Sequence, residues 1–118
     1  MRDAKERLRD ILDAIGHIGR YTSRGREAFD REELIQVWVV HHLQIVGEAA
    51  SRLGREFHAA HPEVPWPKIV AMRNVLVHEY FGVDLNELWN VAQRDLRVIH
   101  GQVERLLAQL EGQERNHL

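Results

Sequence analysis

The spacing of apolar residues predicts helices along the whole chain. Near the N-terminus, apolar side chains recur every three or four residues, which is typical of an amphipathic helix. They are Leu8, Ile11, Leu12, Ile15 and Ile18. The pattern breaks at residues 19–25, where we expect a connection to the next helix.

A second helix is predicted to start near Asp30 and to reach Gly54. Asp30 could cap it, with Glu33 at the capping-box position. Residues 34–40 alone could form a strand, because they are β-branched and aromatic, but the apolar pattern continues for about five turns and favours a helix. This helix is apolar on more than one face, so we expect it either at the centre of a bundle or covered by a partner.

The C-terminal half predicts two more long helices. Pro67 suits the first turn of a third helix, which should end at residues 80–82. Asp84 and Glu87 form a second capping box, and an apolar stripe follows over residues 85–110. With a short extra helix at 55–60, the sequence predicts one all-α domain over residues 1–118. This domain would be a four-helix bundle with up to five helices, and its tail at 112–118 would be frayed.

Composition limits the classes of function. The net charge is -2, so binding of a nucleic acid would need a local cationic patch. The chain has no cysteine, which excludes disulfides, thiolate zinc sites and a cysteine nucleophile, and which is compatible with the cytoplasmic location that we expect. The N-terminus is charged and does not resemble a signal peptide. The longest apolar run, residues 37–40, is too short to span a membrane.

Three residues near the end of the third helix are the candidates for chemistry: Arg73, His78 and Tyr80. Arginine is permanently cationic and suits phosphate, and histidine can exchange a proton near neutral pH. At about 100° per residue, Arg73, Asn74 and His78 share the helix face opposite the apolar one. This arrangement predicts a phosphodiester site. In the alternative interpretation, Arg73 is an ordinary surface residue and His78 only interacts with the helix dipole.

Several other polar and aromatic residues have structural roles as alternatives to functional ones. His58 and His61 could share a metal, but their proline-broken surroundings favour surface histidines, and no cofactor is expected. Glu48 could be the buried partner of an arginine, a part of the site, or a member of a solvated stripe. The tryptophans are predicted to lie in the core or an interface rather than to stack on bases. They are Trp38, Trp66 and Trp89.

The stretch from Arg73 through His78 to Tyr80 resembles the signature of the HEPN superfamily, and more specifically that of its HepT-like toxins. Further segments resemble the same family in the same order, so that the likeness covers most of residues 30–110. These segments are Val46-Gly47-Glu48-Ala49-Ala50, Val64-Pro65-Trp66, Met72-Arg73-Asn74, residues 76–84 and Leu88-Trp89. Val75 departs from the pattern, because many relatives have a basic residue there.

The resemblance implies a helical bundle that forms a symmetric homodimer with a shared groove. It implies a metal-independent endoribonuclease that is the toxin of a type VII-like toxin–antitoxin pair. Arg73 and His78 would be catalytic, with Asn74 supporting the site. The antitoxin would be an MNT-type nucleotidyltransferase that silences the RNase by transferring AMP to Tyr80. One protomer offers a single motif histidine, so acid–base chemistry on RNA also favours a dimer.

Two other functions stay open at this point. The chain could be a non-catalytic subunit that binds a nucleotide or substrate for a partner nucleotidyltransferase, which its negative net charge slightly favours. It could also be a purely structural dimer in which the motif is a relict.

Overall fold

The fold is an all-α bundle, as predicted. The computed structural model describes residues 3–78 and 84–116, and within these residues it contains helices and no strand. The α-helices are α1 (Ala4–Thr22), α2 (Arg26–Arg31), α3 (Glu33–Arg52), α4 (Arg55–Ala60), α5 (Trp66–His78), α6 (Leu85–Asn90) and α7 (Leu96–Asn116), and a π-helical turn, Val91–Asp95, joins α6 to α7. Among these described helices, none is long and apolar enough to cross a membrane.

The central helix of the bundle is α3. It packs against α1 on one side and α5 on the other, and α1 in turn packs against α7. The buried apolar side chains of α3 occupy several faces: Ile35, Val39, Val40, Leu43, Val46, Ala49 and Ala50. Of the two positions expected for this helix, the structure shows the central one, and the possibility that a partner also covers it stays a prediction.

The connection between the first two long helices differs from the prediction. Helix α1 continues to Thr22, into the expected connection at residues 19–25, and a separate short helix, α2, spans the expected start of the second helix near Asp30. Asp30 lies inside α2 and accepts a hydrogen bond from Nε of Arg26 at 2.7 Å. The expected cap at Asp30 is therefore wrong. The chain turns at Glu32, whose extended backbone precedes α3 and which makes no side-chain capping hydrogen bond.

The second half of the chain follows the predictions more closely. Helix α4 forms where a short extra helix was expected, and Pro67 lies in the first turn of α5. Asp84 caps α6 by accepting a hydrogen bond from the backbone N–H of Asn86 at 2.8 Å. Helix α7 continues to Asn116, and the expected fraying of the tail from residue 112 stays a prediction.

Helices α3 and α5 approach each other closely where Gly47 meets Arg73. A Cβ atom added at Gly47 would lie 2.4 Å from Cβ of Arg73 and 3.0 Å from its backbone nitrogen. No side chain larger than hydrogen fits between the two backbones at this point. Gly47 therefore sets the distance at which α5 presents Arg73 to α3.

Candidate active site

Arg73 points from α5 toward α3, where it meets an acidic partner. Its Nη1 donates a hydrogen bond to Oε2 of Glu48 at 2.6 Å. The side chain of Arg73 is 31% exposed and that of Glu48 is 43% exposed, so the pair lies at the surface of the bundle rather than in its core. Glu48 is thus the partner of an arginine, as one of the expected roles had it, but it is not buried.

A second arginine completes this cluster. The other carboxylate oxygen of Glu48, Oε1, accepts a hydrogen bond from Nε of Arg52 at 2.5 Å, one helical turn further along α3. Hydrogen bonds from Arg52 and, next in size, from Arg73 lower the pKa of the Glu48 carboxyl, while its desolvation acts in the opposite direction. The cluster therefore holds one ionised carboxylate between two guanidinium groups.

An open groove of about 390 Å³ lies beside the cluster, between the N-terminal part of α1 and the middle of α3. Its polar lining is mixed in charge. It comprises Arg7, Asp10, His41, Gln44, Glu48 and Arg73. Two cations and two carboxylates balance, so the groove is not a strongly basic channel, and any phosphate bound there would depend on individual arginines rather than on a general positive field.

The structure describes the predicted motif residues only in part. Arg73 is rooted in the contact between α5 and α3, one turn after the buried Ile69, and its side chain is 31% exposed. The backbone of Asn74 and His78 belongs to α5, but their side chains lie outside what the structure describes. Tyr80 lies outside the described residues. The predicted roles of these residues stay predictions.

The other histidines considered in the sequence have structural partners. The rings of His58 and Trp66 are stacked with centroids 5.0 Å apart, and Nε2 of His58 lies 2.7 Å from the carbonyl oxygen of Ala50. His61 packs on the ring of Phe57. Within residues 3–78 and 84–116, no three histidine or acidic side chains are grouped so that they could hold a metal ion.

A buried histidine joins α1 to α3. Nδ1 of His42 donates a hydrogen bond to the carbonyl of Trp38 at 2.9 Å, and its ring centroid lies 5.1 Å from that of His17 and 5.0 Å from that of His41. Burial lowers the pKa of His42, and the charges of His41 and His17 add to this effect, whereas the hydrogen bond to the Trp38 carbonyl raises it. His42 is therefore a packed, neutral group rather than a surface base.

The exposed side of α3 also carries an apolar groove of about 620 Å³. Leu34, which is 83% exposed, lines it together with Val37 and Trp38. His41 lines both this apolar groove and the mixed-charge groove beside Arg73. The two grooves therefore form one continuous surface along α3.

Sequence reasoning did not identify Arg52 and Arg7 as site residues. Arg52 carries a local signal, because it follows Glu48 by four residues and such pairs meet on a helix. Arg7 carries none, since it comes near Arg73 only through the packing of α1 on α3.

Comparison with known proteins places this helical domain in a family. The family model described as "Ribonuclease HepT-like" matches residues 11–106. A protein of Thermococcus cleftensis named "Probable ribonuclease HepT" is 37% identical over 106 residues, which are 89% of this chain and 96% of the relative. A protein of Methanocaldococcus jannaschii named "Putative RNase MJ1380" is 35% identical over 104 residues, which are 87% of this chain and 95% of the relative.

A third relative, from Caldanaerobacter subterraneus, is named "Putative RNase TTE0752" and is 36% identical over 81 residues, which are 69% of this chain and 72% of the relative. No solved structure matches the chain. The family match spans most of the chain, including α3 and the whole of α5, which carries Arg73. The chain belongs to the ribonuclease HepT-like family.

Proposed function

We propose that this protein is a metal-independent endoribonuclease that acts as the toxin of a toxin–antitoxin pair. Membership of the ribonuclease HepT-like family and the names of the relatives support an RNase activity. The single observation that carries the proposal is the position of Arg73, which a carboxylate holds at the edge of a groove within a family named for ribonucleases.

The proposed reaction uses the RNA itself as the nucleophile. The 2′-oxygen attacks the adjacent phosphorus, and the bond from phosphorus to the 5′-oxygen of the next nucleotide breaks. His78 would take the proton from the 2′-hydroxyl or give one to the leaving oxygen. Arg73 would stabilise the non-bridging oxygens as their charge grows, and Asn74 would support the site. The products would carry a 2′,3′-cyclic phosphate and a 5′-hydroxyl.

A homodimer would complete the acid–base pair. One His78 cannot both accept and donate a proton in the same step, whereas a two-fold dimer supplies a second copy. The exposed apolar side of α3 supports the proposal, because Leu34 leaves a large apolar side chain 83% exposed next to an open groove. This surface continues to Arg73 through His41, so a second copy that covers it would come close to the site.

The proposed antitoxin is an MNT-type nucleotidyltransferase that transfers AMP from ATP to the phenol oxygen of Tyr80 and releases pyrophosphate. AMP on the phenol oxygen would place a bulky anion two residues from His78. It would occupy the substrate groove and repel RNA phosphates, by the same physics that governs phosphorylation. A Tyr80→Phe protein should cleave RNA and should resist silencing by the antitoxin.

RNA cleavage by purified protein tests the proposal. The intact mass must first show that the preparation carries no AMP, because a modified toxin would be silent. Wild type should cleave RNA, and His78→Ala and Arg73→Ala should not. His100→Ala is the matched control, because His100 lines a different groove, between α1 and α7. If unmodified wild type leaves RNA intact but binds nucleotides, the protein is instead a non-catalytic partner subunit of a nucleotidyltransferase.

A further inference from the structure

Glu48 is the acidic residue at the centre of the arginine cluster. Its two carboxylate oxygens are divided between two arginines, with Oε2 bonded to Arg73 on α5 and Oε1 bonded to Arg52 on α3. Both contacts are charge-assisted hydrogen bonds, at 2.6 Å and 2.5 Å. Such bonds are shorter and stronger than those between neutral groups.

The backbone geometry makes the contact with Arg73 specific. Gly47, the residue before Glu48, lets the backbone of Arg73 approach so closely that an added Cβ would lie 3.1 Å from Cα of Arg73. Glu48 therefore sits beside the root of the Arg73 side chain. The carboxylate can fix the direction of a side chain that would otherwise rotate about several bonds.

Arg52 determines what charge the cluster presents. An isolated Glu48–Arg73 pair would be neutral, and its carboxylate would repel a phosphate that approaches Arg73. With Arg52 on the other oxygen, the three groups carry a net charge of about +1. The arrangement orients Arg73 and still leaves the cluster attractive to an anion.

We propose that Glu48 is a positioning residue for the phosphate-binding Arg73, and that Arg52 holds Glu48 and offsets its charge. This inference rests on the proposed RNase function. It adds a residue that acts through Arg73 rather than on the RNA. Glu48 remains ionised at neutral pH, because both arginines lower the pKa of its carboxyl.

The proposal predicts that loss of the Glu48 carboxylate slows RNA cleavage without weakening RNA binding. In Glu48→Gln the cluster gains positive charge, so the Kd for an uncleavable 2′-deoxy analogue of the substrate should stay within about threefold of the wild-type value or become smaller. The single-turnover cleavage rate should fall about 10- to 100-fold, because Arg73 is no longer held where the phosphorane forms. A merely structural role would instead change the melting temperature and weaken binding and cleavage together.

Matched variants sharpen the test. Glu27→Gln is the control, because Glu27 also pairs with an arginine four residues on, Arg31, but on the exposed surface of α2. It should cleave like wild type. Glu48→Asp keeps the negative charge but shortens the side chain by one methylene group. It therefore tests the hydrogen bond to Arg73 even if Glu48→Gln folds poorly. Its cleavage rate should fall while its Kd for the analogue stays unchanged.

The outcomes distinguish this inference from the function on which it rests. Wild-type cleavage by both Glu48→Gln and Glu48→Asp would overturn the positioning role and leave the RNase function standing. Absence of cleavage by the unmodified wild type would overturn the RNase function, and the positioning role with it.

Discussion

Replacement of Gly47 by alanine tests the close contact between α3 and α5 that presents Arg73. The added Cβ would lie 2.4 Å from Cβ of Arg73 and 3.0 Å and 3.1 Å from its backbone nitrogen and Cα. Carbon atoms in van der Waals contact are about 3.5–4.0 Å apart. The two helices would have to separate by about 1 Å, because backbone atoms cannot rotate out of the way.

The expected cost follows from two opposing terms. Overpacking a well-packed interior typically costs about 1–3 kcal/mol. Alanine in place of glycine in a helix returns about 0.5–1 kcal/mol, because the unfolded chain loses freedom. We therefore expect Gly47→Ala to lower the free energy of unfolding by about 1–2 kcal/mol, and Arg73 to shift relative to Glu48.

Gly16→Ala is the matched control for this substitution. Gly16 lies within α1, where an added Cβ would meet no other described atom within 4 Å. Only the helix-propensity gain applies there, so Gly16→Ala should raise the stability by about 0.5–1 kcal/mol.

Thermal unfolding followed by circular dichroism measures both variants. At roughly 4 °C per kcal/mol for a domain of this size, the melting temperature should fall by about 4–8 °C for Gly47→Ala and rise by about 2–4 °C for Gly16→Ala. The RNase activity of Gly47→Ala should also be lower. The reasoning is refuted if the two variants are equally stable, because the contact would then not be tight.

Three further predictions concern other parts of the bundle. Because burial lowers the pKa of His42, the unfolded state binds more protons than the folded state below about pH 6.5. Unfolding measured between pH 7.5 and 5.5 should therefore show that the protein becomes less stable as the pH is lowered, and this loss of stability should be smaller in His42→Asn. Leu34→Glu should shift the protein from dimer to monomer in analytical ultracentrifugation, whereas Val98→Glu, at a 60% exposed position on α7, should leave the dimer intact; equal masses for the two variants would contradict the proposed interface. Trp66→Ala should lower the free energy of unfolding in urea by about 3–5 kcal/mol, since Trp66 is only 1% exposed, and a loss below 1 kcal/mol would show that the site repacks.

The long helices could be predicted from the sequence because their signals are local. The periodicity of α1 and the first-turn proline of α5 act within a few residues, and both helices form as expected. The cap at Asp30 failed although the local motif was present. Arg26 competes for the same carboxylate, so Asp30 pairs within α2 instead of opening α3.

The sequence predicted only the part of the candidate site that lies within one helix. The motif singled out Arg73, and the sequence offered Glu48 as a possible partner of an arginine without indicating which one. Glu48 precedes Arg73 by 25 positions, and the two meet because α3 packs on α5 at Gly47. No periodicity encodes such a contact, which depends on how two helices pack rather than on either helix alone. The sequence also did not predict the π-helical turn Val91–Asp95, because the apolar stripe continues across it without a break.

The central claim is that this protein cleaves RNA through the 2′-hydroxyl with His78 in the acid–base role. The most direct measurement is mass spectrometry of the products from an RNA oligonucleotide, compared with the same sequence as DNA, for unmodified wild type and His78→Ala. The account predicts that wild type alone cuts RNA, leaves 2′,3′-cyclic phosphate and 5′-hydroxyl ends, and spares DNA. Cleavage of DNA, or equal cleavage of RNA by His78→Ala, would contradict it.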